Sequence, residues 1–133
     1  MTMPVLDVNN LVVHFPAGRR GFGQRSKVHA VDGVSFRVPP KTSFGIVGES
    51  GSGKSTTAQA IMRLVPATSG QIVICGRNVL DLRGSALREA RRHFQMIFQD
   101  PFASLDPRRR AGALIREPLD LQEEGTSAER EAR

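Results

Sequence analysis

The run Gly48-Glu49-Ser50-Gly51-Ser52-Gly53-Lys54-Ser55 has the spacing G-x-x-x-x-G-K-[ST], which describes a loop able to hold a polyphosphate. A triphosphate needs many donors at short range. Gly51 and Gly53 let the backbone turn its N–H groups inward with no side chain in the way. On this reading Lys54 reaches the β- and γ-phosphates as a point charge, the Ser55 hydroxyl ligands Mg²⁺, and Thr56 adds a donor to the α-phosphate. A helix opening here would aim its positive end at the same phosphates. The embedded Gly51-Ser52-Gly53 is a poor dinucleotide fingerprint, because no third glycine follows three residues on and Lys54 intrudes.

Such a loop must lie between a strand and a helix. Phe44-Gly45-Ile46-Val47 is almost continuously apolar, which predicts a strand covered on both faces, as in a parallel sheet. Ala58, Ile61, Met62 and Val65 fall at helical spacing and Pro66 closes the segment, predicting a helix of about three turns. Upstream, Leu6 and Val8, then Leu11, Val13 and Phe15, alternate with polar residues on either side of Asn9-Asn10. That predicts a strand with a central irregularity, ended by Pro16. Residues 17–27 are glycine-rich and basic and are expected to be an exposed excursion, and Val34, Phe36 and Val38 mark a half-buried strand closed by Pro39-Pro40.

Downstream, a turn at Thr68-Ser69-Gly70 leads to a strand over residues 71–75, with Cys75 expected to be buried at its end, then a turn containing Gly76 and Asn78. Residues 85–92 are helix-favouring, Met96-Ile97-Phe98 predicts another buried strand, and Asp106-Pro107 resembles an N-cap and first helical residue. Thr126 and Glu129 have the spacing of a capping box, announcing a helix from Ser127. Seven residues follow Thr126, so the sequence is expected to be a cut piece of a longer domain.

The net charge of +6 is carried mostly by arginine and suits nucleic acid or an anionic surface only where it clusters. It clusters at Arg19, Arg20, Arg25 and Lys27 and again at Arg108-Arg109-Arg110, in neither case with the interleaved aromatics that stack bases. Hydrophobic residues at 39% against 24% charged exclude wholesale disorder. The lone Cys75 has no disulfide partner, which fits a reducing cytoplasm, and His14, His29 and His93 show no ligand spacing, so they are expected to be structural or exposed. No apolar run approaches the roughly 18 residues that a membrane helix needs.

Met96-Ile97-Phe98-Gln99-Asp100-Pro101-Phe102-Ala103-Ser104-Leu105-Asp106-Pro107-Arg108 resembles the Q-loop of the ATP-binding subunits of ABC transporters in the dipeptide and oligopeptide permease group. The loop at 48–56 resembles their Walker A segment, and residues 30–36, 68–72 and Glu117-Pro118-Leu119 are similar too. Importers of metals and of glutathione share these features. The resemblance implies an α/β P-loop NTPase fold of the ABC type, with an antiparallel β region, a parallel nucleotide-binding core and the start of a helical subdomain. The sheet is expected to be incomplete. Residues 1–98 would form the β region and P-loop core, and 99–133 the Q-loop and helical start.

The same resemblance implies ATP and Mg²⁺ as ligands, held by Gly48, Glu49, Ser50, Gly51, Ser52, Gly53, Lys54, Ser55 and Thr56. Gln99 would join Ser55 on the metal and report γ-phosphate occupancy, and Phe15 would either stack on adenine or lie in the core. Implied partners are integral membrane permease subunits, a second ATPase subunit and, indirectly, a solute-binding protein, with no nucleic acid expected. The implied location is cytoplasmic, on the inner face of the membrane. The signature motif, the Walker B strand with its catalytic glutamate and the switch histidine would lie beyond Arg133, so the segment is expected to bind Mg·ATP without efficient turnover. Two alternatives stand beside this: a non-catalytic module that occupies permease subunits, and a soluble relative acting on nucleic acid or the ribosome.

Overall fold

The computed structural model describes residues 3–20, 24–100, 105–122 and 125–132. The chain forms two compact units, Met1–Gln95 and Met96–Arg133.

In the first unit, β1 (Leu6–Arg20) is flanked by β2 (Gln24–Val38) and β3 (Ser69–Ile74), and the short β4 (Arg77–Asn78) extends the sheet in the order β2-β1-β3-β4. Every neighbouring pair is antiparallel. The core consists of Val8, Leu11, Val13, Val31, Ile72, Ile74 and Val79 from this region, with Ala60 from the helix α1 (Lys54–Ile61). Fully burying an aliphatic side chain of this size contributes about 1.5 to 3 kcal/mol.

The expected irregularity at Asn9-Asn10 is what lets β1 fill that core. Val8 and Leu11 would face opposite sides of a regular strand, yet both are buried. The register shifts between them, and Asn10 takes a left-handed φ of 47°, so one extra residue restores the phase. Gly70 receives this bulge: a Cβ there would stand 2.5 Å from the Asn10 carbonyl oxygen. A turn residue named only from its type thus has a packing reason.

Several expectations change. Pro16 does not end β1, which continues to Arg20 opposite β2. Its β3 neighbour pairs only as far as Val12, so beyond that point β1 has one partner among the described residues and a residue without an N–H interrupts no second ladder there. The excursion at 17–27 is therefore the outer part of a long hairpin, whose residues 21–23 lie outside those described. Cys75 is exposed rather than buried. It occupies the two-residue turn between β3 and β4 with φ of 48°, followed by Gly76 at 80°, the pair of left-handed conformations that matches strand twist in a tight hairpin.

Phe44-Gly45-Ile46-Val47 joins no ladder, and Val47 is 91% exposed. Met96-Ile97-Phe98 likewise forms no strand, with Ile97 97% exposed. An apolar run records that both faces want cover, but a parallel strand exists only through its neighbours' hydrogen bonds, and among the described residues neither segment has them. The parallel core is thus not formed as strands, while the antiparallel region is. After β4 come α2 (Gly84–Ala90) and a 3₁₀ turn, Arg91–His93, close to the predicted helix at 85–92.

In the second unit, Asp106 accepts a bond from the Arg108 N–H at 3.0 Å, the contact of an N-cap, but the turn it starts is brief and α3 (Ala111–Gln122) begins later. The capping box forms as expected at α4 (Ser127–Ala132): the Thr126 N–H donates to Glu129 Oε2 at 2.7 Å and the Glu129 N–H to Thr126 Oγ1 at 3.3 Å. Arg116 pairs with Asp120 on its own helix and joins the two helices through Glu131 of α4.

Candidate functional site

The phosphate-loop expectation stands or falls on where α1 begins, and it begins at Lys54. Gly53 is its N-cap, with a left-handed φ of 88° that favours glycine. A Cβ at Gly53 would meet the Ala30 carbonyl oxygen at 2.2 Å, so only glycine lets the loop lie against the backbone of β2. Thr57 fixes the other side. Buried at the first turn, it donates both its N–H and its hydroxyl to the Gly53 carbonyl, at 2.8 and 2.9 Å. No side chain caps the N-terminus of α1, which leaves its first amides and the positive end of its dipole to an external acceptor.

The Lys54 ammonium folds back over the loop. It donates to the carbonyls of Gly48 at 2.9 Å and Glu49 at 2.6 Å, and to Ser52 Oγ at 3.3 Å. The Ser52 N–H closes the ring by donating to the Glu49 carbonyl at 3.2 Å. Residues 48–52 and Ser55 are exposed, and Thr56 is half-buried. Beside them lies an open recess of about 440 Å³ whose lining includes Phe36, Phe44, Ile46, Gly48, Lys54 and Thr57, with the Phe36 and Phe44 rings stacked at 4.9 Å. The arrangement presents a cation, an uncapped helix start and two exposed or half-exposed hydroxyls, all suited to an anion with several oxygens.

The residues expected from the motif, 48–56, are thus one local structure. Phe15, on β1 opposite Val28, is 37% exposed and stands outside the core cluster, so the core alternative does not describe it. Gln99 belongs to the second unit and is exposed. Residues 101–104 of the Q-loop-like stretch lie outside those described. Two participants escaped the sequence reading, Ala30 and Thr57. Thr57 had a signal in its type, since a threonine in a helix can donate to the carbonyl four residues back; Ala30 had none.

A family model described as ABC transporter matches residues 31–131. The glutathione import ATP-binding protein GsiA of Pectobacterium atrosepticum is 49% identical over 118 residues, which cover 87% of this chain and 19% of that protein. Its counterpart in Escherichia coli K12 is 50% identical over 118 residues, with the same shares. The chain therefore spans about a fifth of the length of the curated relatives it matches. Among solved structures, a dimeric post-hydrolysis state of an ATP-binding cassette bound to ADP and Pi superposes with a TM-score of 0.76 at 25% identity, covering 96% of this chain and 53% of that one. A dimeric bacterial ABC transporter cassette gives 0.77 at the same identity and coverage. The fold is accordingly an incomplete α/β P-loop fold of that cassette type.

Proposed function

Because the chain belongs to the ABC transporter family, we propose that it is ATP-binding material of an importer ATPase and that residues 48–56 hold the phosphates of Mg·ATP. The observation that carries this reading is the start of α1 at Lys54 with no side-chain cap, behind a loop that keeps the Lys54 ammonium at its mouth. Incoming phosphate oxygens are stronger acceptors than the loop carbonyls and take over the ammonium. Backbone N–H groups of the first helical turn donate alongside it.

Mg²⁺ fits the site through the Ser55 hydroxyl, a hard oxygen donor exposed at the first turn, and Gln99 is the proposed second ligand. When bound, the ion neutralises charge on the phosphates. Phe15 is the proposed platform for adenine, which its exposure permits. The loop supplies amides, hydroxyls and an ammonium rather than a positioned general base, so this segment binds nucleotide without efficient turnover.

The relatives are import proteins for glutathione, a small peptide, and we extend their role to uptake of peptide-like solutes. In this reading the partners are membrane permease subunits and a second ATPase subunit, at the cytoplasmic side of the membrane. No helix among the described residues is long and apolar enough to cross a membrane itself. A role on nucleic acid has less support, because Arg37, Arg92, Arg109, Arg116 and Arg130 each meet a carboxylate.

Titration with a fluorescent ATP analogue, with and without Mg²⁺, tests the assignment. Lys54→Ala is expected to weaken binding roughly ten- to a hundredfold, the worth of a lost charge-assisted contact. Equal affinity in both proteins would remove the phosphate loop from consideration.

A further inference from the structure

Far apart in the sequence, His14 and His29 are direct cross-strand partners in the β1–β2 ladder. Their rings lie face to face, with centroids 3.9 Å apart and planes inclined by 26°. Asp32 brings its Oδ2 to 3.9 Å from His29 Nδ1. One ligand atom from each of the three residues falls within 4.8 Å of the others. Donors bound to one tetrahedral ion at 2.0–2.1 Å stand about 3.4 Å apart, so the side chains must turn to close the set, the stacked rings out of their parallel arrangement included.

A second observation is independent of that spacing. His14 Nε2 is buried and has no hydrogen-bond partner among the described residues. A buried ring nitrogen left unpaired is costly, and such an atom in a folded protein calls for a ligand that the protein chain does not supply. His29 and Asp32 are exposed, which gives an ion a route to it.

We propose that His14, His29 and Asp32 form a site for a divalent transition-metal ion of the zinc class, with solvent completing its coordination. Two imidazoles and one carboxylate make a donor set of borderline softness. Zn²⁺ suits it, whereas Mg²⁺ and Ca²⁺ prefer oxygen alone. The site shares no residue with the phosphate loop. It nevertheless lies next to a residue that the loop packs against, since His29 precedes Ala30, whose carbonyl is the surface against which Gly53 lies. An ion bridging His14 and His29 would tie β1 to β2 directly beside that contact.

The test uses the whole chain, stripped of metal and free of nucleotide, with Co²⁺ as a spectroscopic probe and Zn²⁺ as competitor in calorimetry. The expected result is one Co²⁺ per chain with a d–d band typical of mixed nitrogen and oxygen ligation, displaced by Zn²⁺. Zn²⁺ should also raise the melting temperature, because an ion bound only by the folded state stabilises it. His29→Asn and Asp32→Asn, both at exposed positions, should each lower Zn²⁺ affinity by at least about tenfold and abolish the thermal shift. Cys75→Ser and His93→Asn, which remove the exposed thiol and a histidine outside the set, should change neither. Unaltered affinity in His29→Asn, or loss of binding in Cys75→Ser, would overturn the proposal.

Discussion

At Gly53 two demands meet in one residue: a left-handed φ, and a carbonyl oxygen 2.2 Å from where a Cβ would be. Gly51 carries only the first, with φ of 82° and nothing within 4 Å of its would-be Cβ. The two positions are therefore separable by experiment. Gly51→Ala should lower stability by about 1 kcal/mol, the cost of a left-handed non-glycine residue. Gly53→Ala should cost distinctly more than about 1 kcal/mol, because β2 or the start of α1 must also move. Urea denaturation midpoints of the two variants measure the difference, and equal midpoints would mean that Ala30 yields freely. Lys54 and Ser55 do not enter that comparison, since the Lys54 ammonium bonds the loop's own carbonyls and Ser55 is exposed.

Among the elements, α1 shows how a short helix is held at both ends. Its start is fixed by Thr57 on the Gly53 carbonyl. At its end the Arg63 N–H donates to the Ala60 carbonyl at 3.0 Å and the Leu64 N–H to the Gln59 carbonyl at 2.9 Å, the paired bonds of a Schellman ending. That ending needs a left-handed residue, and Arg63 takes φ of 56° where glycine is the usual choice. The side chain explains the exception. Arg63 Nη1 donates to the Leu80 carbonyl at 3.0 Å, and a longer contact of 3.5 Å reaches Leu82, so the helix end is tied to the chain after β4. Arg63→Ala removes the tie and keeps the strain, and should cost about 1 to 2 kcal/mol, read from thermal or denaturant unfolding. Arg63→Gly relieves the strain and should cost less than the alanine variant.

For the whole molecule, the feature of most consequence is apolar surface in the first unit. Val34, Phe44, Ile46 and Val47 are exposed large hydrophobics, and all four line the recess beside the phosphate loop. Contiguous apolar surface drives association or dye binding when nothing covers it. Ile46→Lys combined with Val47→Lys should reduce binding of a hydrophobic dye and concentration-dependent light scattering. The stability cost should be small at Val47, which is 91% exposed, and larger at Ile46, which is 43% exposed. A dye signal unchanged by the pair would place the sticky surface elsewhere. In the second unit, the hydrogen bond and charge of Asp120, followed by the charge of Glu131, raise the pKa of Arg116 above its usual value, so this link between α3 and α4 keeps its cation at any ordinary pH.

Local information in the sequence was enough for the glycine loop at 48–53, the start of the helix behind it and the capping box at α4, although α1 stops at Ile61 in a left-handed turn at Arg63 rather than running on to Pro66. Glycine spacing, a threonine three residues before a glutamate and a run of helical apolar positions act through neighbours in the chain. The kink at Asn9-Asn10 was legible for the same reason, although its purpose, returning Leu11 and Val13 to the face of Val8, was not. What only the tertiary structure decided were relations across strands: Ala30 against Gly53, His14 beside His29, and the continuation of β1 through Pro16. Each depends on which backbone lies opposite, and residue type carries no record of that register. The apolar runs at 44–47 and 96–98 show the limit most plainly, since composition states a need for cover while only a neighbouring strand supplies the hydrogen bonds that make a sheet.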